Sequence, residues 1–596
     1  MDASSSNGTL TRRAALKVAG LAALGATAVN HGLGLDHLVD AEAATRGGFP
    51  PLPAKLMPGS PHHAKGWTTS LPPLPAGYPR RSPITITATK VTDATDIYGP
   101  GDSLNDNNFT RLTRLLFGIQ WKVKWTWTGN NAEQKYNLAL ASGDLPDFMS
   151  YLPLTVYSKM LQANKLEDIT EAWDKYASPR IKKALTYGGH HLAWSYAEVT
   201  GRKMGIPPTQ GAAQNDKLLW IRQDWLDKVG MHVPTTVAEV EAVAKAFVKA
   251  RLGGLTTYGL NVAASGGTAD FSTWYSSLDP IFGGFGVMPT YWTREGTGLM
   301  YDSIRPRMLD ALVLLRRWYQ EGIIPRDYFT LATADSEKRI AANQAGMMFS
   351  PSFAAGFGVS DSQKLDPRAH WIFADIPRGP VRKAKAWWNP YLASVHGIRK
   401  GFPYVRDLIQ QMNWWQELFT DPARKFRGWE GQDYVWQGNT IVPGPLTRGG
   451  GGSSKQWIGP IGGSGHDELD PLADSRAEQY LEAQAKLPAG QRDAWVNFQL
   501  NDPTGVNTLS RRAYLFATAH SNAEGIKNLF NALPTPTMVA KGSTLQKLED
   551  EAFTAIITGN GRASTTFQTF VSQWKRLGGD KITHDVNEWW ARSGQR

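Results

Sequence analysis

Tryptophan is the side chain that this sequence offers most abundantly for molecular recognition. The chain contains 23 Trp among 596 residues, and 11% of all residues are aromatic. A pyranose ring presents C–H bonds on its faces and hydroxyl groups around its edge, so aromatic planes cover the faces while carboxylates, amides and guanidinium groups bond the edge. This composition indicates a surface able to hold sugar rings.

Many of the tryptophans are better explained by packing, because they recur at periodic positions of predicted strands and helices. We assign six to cores: Trp121, Trp125, Trp127, Trp173, Trp225 and Trp574. Six others stand in irregular, polar or glycine-rich stretches and are binding candidates: Trp194, Trp274, Trp387, Trp388, Trp429 and Trp436. The polar groups nearest to these candidates in sequence are Asn389, Glu430 and Asp433.

Covalent chemistry has less support in the sequence. The absence of cysteine excludes disulfides, thiolate zinc sites and thiol nucleophiles. No Gly-x-Ser-x-Gly elbow accompanies a plausible triad, although the 53 acidic residues leave room for a carboxylate pair of the glycosidase kind. The glycine run at residues 448–454 lacks the Gly-Lys-Ser/Thr ending of a phosphate loop and predicts a flexible loop. We expect no catalytic residues and no cofactor.

Candidate metal ligands are present without a regular ligand spacing. The adjacent histidine pairs at 62–63 and 190–191 point apart on a strand and lie about 100° apart on a helix. Residues 102–108 are dense in oxygen but lack the glycine and the terminal glutamate of a calcium loop. We expect no metal site.

The formal net charge of +11 is compatible with acidic sugars, anionic wall polymers or nucleic acid. However, the basic residues occur singly or in pairs, as on a mixed solvated surface, and no nucleic-acid-binding motif is visible. We expect no nucleic-acid partner.

The N-terminal segment resembles a twin-arginine export signal. Two adjacent arginines precede a modest Ala/Gly/Val/Leu run, and an Ala-Glu-Ala cleavage site follows. The run is too short and too rich in Gly and Ala for a convincing membrane span, and the alternative is an ordinary exposed helix. The residues that define the signal are Arg12, Arg13, Ala41 and Ala43. We expect the mature protein to begin near Ala44 and to carry no cysteine-linked lipid anchor.

Periodic patterns predict a parallel α/β sheet after a proline-rich stretch at residues 47–82, which indicates an extended tether or surface strap. Residues 84–89 and 121–127 alternate as strands, and residues 109–117 have helical spacing between them. The segment Ala-Ser-Gly-Asp-Leu-Pro-Asp at 141–147 then reads as the end of a helix, a turn and the start of a strand.

Three further helices are predicted from capping and apolar spacing. Thr236 and Glu239 form a possible capping box. Residues 307–321 and 405–419 have apolar faces at helical spacing. The inward positions are Leu309, Leu312, Leu315 and Tyr319 in the first and Leu408, Ile409, Met412 and Trp415 in the second.

Five stretches in order resemble the extracellular solute-binding proteins of ABC importers, specifically the large carbohydrate-binding family 1. They are residues 141–147, 218–247, 339–353, 391–401 and 574–590. The resemblance implies an α/β, two-lobed periplasmic-binding-protein (Venus-flytrap) fold with hinge crossovers. It places lobe 1 at 84–206 and 377–440, and lobe 2 at 207–376 and 441–596, the latter after a loop, behind a signal at 1–43 and a tether at 44–83.

The same resemblance implies two more binding residues and a set of partners. Tyr151 ends the strand after the 141–147 turn, where sugar-binding relatives carry an aromatic that points at the ligand. Phe353 follows a Met-Met-Phe strand, where relatives often carry a stacking ring. The partners would be an oligosaccharide and the permease subunits of an ABC transporter, with the protein acting as a monomer that is extracellular, wall-associated or periplasmic.

Two other classes of protein stay open at this point. A secreted glycoside hydrolase or polysaccharide lyase fits the tryptophan content and the acidic residues. A structural protein that adheres to the cell wall fits the positive charge and the proline-rich tether.

Overall fold

The described part of the chain folds into two α/β lobes, each with its own sheet and core. The computed structural model describes residues 71–92, 98–99, 101–128, 131–186, 190–208, 215–264, 271, 273–387, 393–420, 429–438, 440–444, 483–492, 496–497 and 506–593. The predictions that lie outside these residues are the export signal with Arg12, Arg13, Ala41 and Ala43, the glycine run at 448–454, and the candidates Trp388 and Asn389. Among the described helices, none is both long enough and apolar enough to cross a membrane.

The first part of the chain alternates strands and helices, as the sequence predicts for a parallel sheet. Its elements are β1 (Ile84–Val91), α1 (Asn108–Phe117), β2 (Ile119–Trp127), α2 (Ala132–Ser142), β3 (Phe148–Pro153), α3 (Leu154–Gln162), α4 (Thr170–Tyr176), α5 (Pro179–Ala184), α6 (His190–Trp194), β4 (Glu198–Val199) and β5 (Arg202–Lys203).

The remaining elements build the second lobe and return once to the first. They are β6 (Leu218–Arg222), α7 (Gln223–Val229), α8 (Val237–Lys249), α9 (Asp279–Gly284), β7 (Trp292–Glu295), β8 (Gly298–Tyr301), α10 (Pro306–Gln320), α11 (Thr333–Ala341), β9 (Met347–Ser350), α12 (Gly358–Leu365), β10 (Trp371–Ala374), β11 (Lys385–Ala386), β12 (Ser394–Ile398), α13 (Val405–Thr420), β13 (Tyr434–Gln437), β14 (Thr440–Pro443), α14 (Val506–Glu524), β15 (Gly525–Ile526), α15 (Pro536–Thr558), α16 (Ala563–Trp574) and α17 (Asp580–Arg592).

Each lobe is organised by one main sheet. In the first lobe the strand order is β12-β3-β1-β2, with β1 parallel to both β2 and β3 and with β12 antiparallel to β3. In the second lobe the order is β10-β6-β9, and β6 is antiparallel to both neighbours. The strand β12 is therefore the one that brings the chain back from the second lobe into the first sheet.

The turn at residues 141–147 joins three strands of the first sheet. Gly143 ends α2 with a φ of 74°, a conformation that glycine adopts without the strain other residues meet. The Asp147 carboxylate accepts hydrogen bonds from the Thr87 amide at 2.9 Å, the Thr87 hydroxyl at 2.6 Å and the Arg399 guanidinium at 2.7 Å. One side chain at the start of β3 thus ties together β1 and the end of β12.

The helices confirm most of the local predictions and correct one. Thr236 and Glu239 form the capping box of α8, and α13 buries its four predicted inward residues. The face of α10 is rotated from the prediction, since Leu309 and Tyr319 are only partly buried. The residues fully packed instead are Met308, Ala311, Leu312, Leu314, Leu315 and Trp318. The helix α10 packs against both α15 and α16. Its buried face is therefore wider than the single row of apolar residues that the sequence predicted.

The proline-rich stretch takes the strap form, one of its two predicted forms, and one later lobe boundary differs from the prediction. The predicted tether ends in a strap on the first lobe, where Leu71 and Tyr78 enter the core and the Tyr78 hydroxyl donates to Asp407 at 2.8 Å. Residues 377–386 belong with the second lobe rather than the first, because Ala384 and Ala386 are fully buried in its core. The chain therefore leaves the second lobe about ten residues later than predicted, after β11 has paired with β15.

We predict that Asp147→Asn lowers the free energy of unfolding by about 1–3 kcal/mol at pH 7, because charged hydrogen bonds to Thr87 and Arg399 are weakened. Burial alone would raise the pKa of Asp147, but the bonds from Thr87 and Arg399 outweigh it and hold that pKa below its ordinary value of 3.8. The stabilisation is therefore fully present above that value and is lost as the pH falls through the folded-state pKa. Urea unfolding at pH 7, 5 and 3.5 measures the difference between the two proteins.

The matched control is Asp144→Asn in the same turn. The Asp144 side chain is 69% exposed and pairs with Lys124 at the surface, so its loss should change stability by less than about 1 kcal/mol. Equal urea midpoints for the Asp147→Asn and unchanged proteins at pH 7 would show that the turn is a plain connector.

Candidate functional site

Among the described residues, two connections between the lobes have their ends close together. The first lies between Ile206 and Leu218, and the second between Ala386 and Ser394. At the first lobe, Ile206 and His396 exchange two backbone hydrogen bonds of 2.9 Å. A Cβ atom on Gly205 would lie 2.4 Å from Val395 Cγ1 and 2.8 Å from the His396 carbonyl oxygen, so only glycine allows this approach.

The crossing segments reach each sheet at a defined edge, called here the hinge edge. In the first lobe, Ser394 is paired with Pro153, so the hinge edge is the one at the carboxyl ends of β1, β2 and β3. In the second lobe, Leu218 is paired with Ser350, so the hinge edge holds the start of β6 and the end of β9. Ligands of open α/β sheets bind outside the carboxyl ends of parallel strands, and pockets concentrate between domains.

Tyr151 lies in β3 near the hinge edge of the first sheet. Its side chain is half-buried, and its ring centroid lies 4.6 Å from that of His396 and 6.5 Å from that of Trp127. Its backbone amide donates to His396 Nδ1 at 3.2 Å. The Tyr151 ring is therefore partly exposed at the hinge edge, and His396 packs against it from inside the lobe.

Trp274 and Phe353 form the corresponding aromatic group in the second lobe. Their rings stack with centroids 5.8 Å apart at 24°, and Phe357 packs edge-on against both. All three side chains are half-buried. The Ser276 amide donates to Ser350 Oγ at 2.9 Å, which fixes the segment carrying Trp274 beside the end of β9. Two candidates far apart in sequence thus meet at the hinge edge.

Trp387 lies where the second crossing segment leaves the second lobe. Its amide donates to the Ile526 carbonyl oxygen at 2.9 Å, and the Lys527 ammonium lies 4.7 Å from the centre of its half-buried ring. Trp387 therefore lies at the start of the second crossing segment, and its binding role stays a prediction.

Four other candidates lie inside the protein. Trp194 is 3% exposed and packs edge-on against Trp173, and Trp429 is completely buried in the same core. Trp436 and Glu430 are also buried. In this conformation these side chains present no face to a ligand, so their proposed binding role has no support from their placement. Asp433 accepts from the Trp429 amide at 2.6 Å.

The oxygen-rich stretch at 102–108 uses its side chains to hold the first lobe together. The Asp102 carboxylate accepts from Arg111 at 2.6 Å and from Gln432 at 2.8 Å, while Asn107 caps α1. Elsewhere among the described residues, His584, Asp585 and Glu588 form one acidic cluster on α17, where Asp585 also pairs with Lys581 at 2.5 Å.

A buried group of charges joins the crossing segments to the second lobe. Asp216, Lys217, Asp279 and Lys385 are at most 1% exposed. The Lys385 ammonium lies 3.4 Å from Asp216 and donates to the Lys217 carbonyl oxygen at 3.3 Å, so it links the two crossing segments. Asp279 accepts from the Ala386 amide at 3.0 Å. Burial raises the pKa of Asp279, although Lys217 and a bond from Ser277 oppose the rise.

Sequence reasoning missed Phe357, His396 and this charge group. Phe357 and His396 take part only through contacts with residues more than a turn away in sequence, so no local pattern marks them. Lys217 directly precedes a continuous apolar strand, which was the one available signal.

No family model matches the chain, but curated relatives do. It is 26% identical over 480 residues to lipoprotein LipO of Bacillus subtilis (strain 168), covering 78% of this chain and 86% of LipO. It is 23% identical over 228 residues to the polygalacturonan/rhamnogalacturonan-binding protein YtcQ of the same organism, covering 37% and 42%. It is 29% identical over 152 residues to the fructooligosaccharide ABC transporter substrate-binding protein FusA of Streptococcus pneumoniae serotype 4, covering 23% and 27%.

Solved structures match over most of the chain. The alginate-binding protein AlgQ2 without calcium ion has a TM-score of 0.59 at 15% identity, covering 87% of this chain and 99% of AlgQ2. A solute-binding protein associated with an HMO-binding ABC transporter of Bifidobacterium longum infantis ATCC 15697 has a TM-score of 0.58 at 15% identity, covering 87% and 100%. These structures confirm the two-lobed fold, and the relatives confirm the resemblance to extracellular solute-binding proteins.

We predict that Lys385→Met lowers the free energy of unfolding by about 3–5 kcal/mol, because it removes the ion pair of the buried Asp216 carboxylate. The control is Lys338→Met, whose side chain is 77% exposed in a pair with Asp335 and should cost at most about 1 kcal/mol. Urea unfolding of both variants checks this. Equal stability of the two would mean that the buried charges do not hold the crossing segments.

Proposed function

We propose that this protein is the extracellular substrate-binding component of an ABC importer, which captures an oligosaccharide between its lobes and delivers it to the membrane permease. The observation that carries the proposal is the pair of half-buried aromatic groups, Tyr151 in the first lobe and Trp274 with Phe353 in the second, each at a hinge edge. The relatives YtcQ and FusA, which are named as binding proteins for a polysaccharide and for fructooligosaccharides, support it.

The mechanism follows from the two-lobed arrangement. Aromatic faces in both lobes cover the apolar faces of sugar rings, and neighbouring polar groups bond the hydroxyl edges. A sugar that contacts both lobes gains more binding free energy in the closed state than in the open one, so it shifts the population towards closure. The bound sugar is released unchanged to the permease, and no covalent step is required.

The class of sugar that the protein binds can be tested with acidic and neutral oligosaccharides. Polygalacturonan and alginate are acidic, whereas fructooligosaccharides are neutral, so relatives and structural neighbours span both kinds of ligand. Calorimetry with trigalacturonate, kestose and maltotriose, followed by product analysis of each mixture, separates the classes. Binding with intact sugar supports the proposal. New reducing ends or unsaturated products would instead show an enzyme, and binding to wall polymer alone would show an adhesin.

We further propose that the chain is exported through its Arg12-Arg13 signal and acts as a monomer outside the cytoplasmic membrane. N-terminal sequencing of the secreted protein should find a start near Ala44, and disruption of the arginine pair should abolish export. A secreted protein that still begins at Met1 would contradict the export proposal.

We predict that Trp274→Ala weakens binding of the best trisaccharide in this panel by about 1–3 kcal/mol, by analogy with the stacking of bases on aromatic rings. That loss corresponds to a factor of about 5 to 150 in the dissociation constant. Calorimetry of the purified variant measures it.

Tyr404→Ala is the matched control. Tyr404 is also a half-buried aromatic, but it follows β12 at the opposite edge of the first sheet and packs against Arg80 and Phe402. Its removal should leave the dissociation constant unchanged. If Trp274→Ala binds the trisaccharide as tightly as Tyr404→Ala does, Trp274 is not part of the site.

A further inference from the structure

The strand β3 contains a bulge at the hinge edge. Leu152 is paired with Val395 and Met149 with Gly397, so Ser150 and Tyr151 together face the one residue between them on β12. That residue is His396. A bulge adds a residue to one strand, bends the strand and re-aims a side chain, and such bulges are frequent next to functional sites.

The extra residue has a costly backbone conformation. Tyr151 has a φ of 49°, in the left-handed region that favours glycine. A non-glycine residue keeps this conformation only where several surrounding contacts hold it in place. In one common type of bulge, glycine is the usual residue at this position. A tyrosine rather than a glycine at this bulge favours a use for its ring.

His396 provides the surroundings that hold this conformation. Its Nδ1 accepts the hydrogen bond from the Tyr151 amide at 3.2 Å, and its ring packs edge-on against the Tyr151 ring. Its own backbone is hydrogen-bonded in both directions to Ile206 on the first crossing segment. One residue therefore contacts both the hinge and the aromatic ring.

Packing alone does not explain a histidine here. His396 is completely buried, and among the described residues its Nε2 has no hydrogen-bond partner. Burial lowers the pKa of His396 to about 3, so the ring is neutral near pH 7 and carries its proton on Nε2 when Nδ1 accepts. A buried donor without a partner costs free energy, which an apolar residue of similar shape would avoid.

We propose that His396 is a positioning residue for ligand binding: by accepting the Tyr151 amide it holds the bulge, so that the Tyr151 ring stands at the hinge edge as the sugar platform of the first lobe. The inference rests on the proposed function, because it gives the Tyr151 ring a sugar to contact.

Two substitutions at His396 test separately its hydrogen-bond acceptor and the shape of its ring. His396→Phe keeps a buried aromatic ring but removes the acceptor, and should weaken binding of the tightest of trigalacturonate, kestose and maltotriose by up to about tenfold. His396→Asn places an amide oxygen where Nδ1 lies and should bind within about threefold of the unchanged protein. If His396→Phe does not fold, His396→Leu replaces it, since it also lacks an acceptor.

A double-mutant cycle tests whether His396 acts through Tyr151. Tyr151→Gly removes the ring without straining the backbone and should weaken binding by itself. In that background His396→Phe should cause no further loss, because no ring is left to position. Phe109→Leu, in the first-lobe core beside Trp415 and away from the bulge, controls for destabilisation and should leave the affinity unchanged.

The outcomes distinguish this inference from the proposed function. Weak binding by His396→Phe, recovery by His396→Asn and no added loss beside Tyr151→Gly support the positioning role. Full affinity of His396→Phe, or the same loss with and without the Tyr151 ring, would overturn that role alone. Failure of the unchanged protein to bind any of the three trisaccharides would overturn the proposed function and this inference with it.

Discussion

The close packing of the two crossing segments is the constraint on which the arrangement of this protein depends. At the first lobe, Gly205 leaves no space for a side chain, and the paired backbones of Ile206 and His396 lock the segments together. At the second lobe, Lys385 bonds the backbone of the first segment and pairs with Asp216. Both segments are therefore fixed to each lobe at their described ends.

The same constraint determines which aromatic rings lie close to both lobes. The segments leave each sheet at one edge, so rings at those two edges lie beside the hinge. Tyr151, Trp274 and Phe353 occupy such edges, and two of them depend on unusual local supports. Tyr151 has a left-handed backbone, and Trp274 is held beside Ser350 by the adjacent serine-rich turn. Both rings therefore lie on backbone segments that are fixed by specific local contacts.

The sequence predicted those parts of the fold that depend on near neighbours in the chain. The capping box at Thr236, the inward face of α13 and the strands around residues 84–91 and 119–127 follow from spacings of two to four residues. The order of five motifs was enough to indicate two lobes. Among the candidate residues, Tyr151, Trp274 and Phe353 do lie at the hinge edges, but their binding role stays a prediction.

The sequence did not predict those properties that depend on contacts between distant segments of the chain. Trp194, Trp429 and Trp436 stand in polar or glycine-rich surroundings, yet other segments cover them, so irregular sequence did not mean an exposed ring. The end of the second lobe near Ala386 depends on pairing with β15, which lies about 140 residues further along the chain. His396 occupies an ordinary strand position, and only the bulge opposite it shows what it contacts.

The helix α14 supports one of the two aromatic groups from behind. It packs on the turn that carries Phe353, where the Ser510 hydroxyl donates to the Ser352 carbonyl oxygen at 3.1 Å, and it ends directly before β15. Substitutions at the start of this helix would move the turn that supports the Phe353 ring. In the proposed sugar site, such substitutions would change the fit of a ligand without replacing any ring that contacts it.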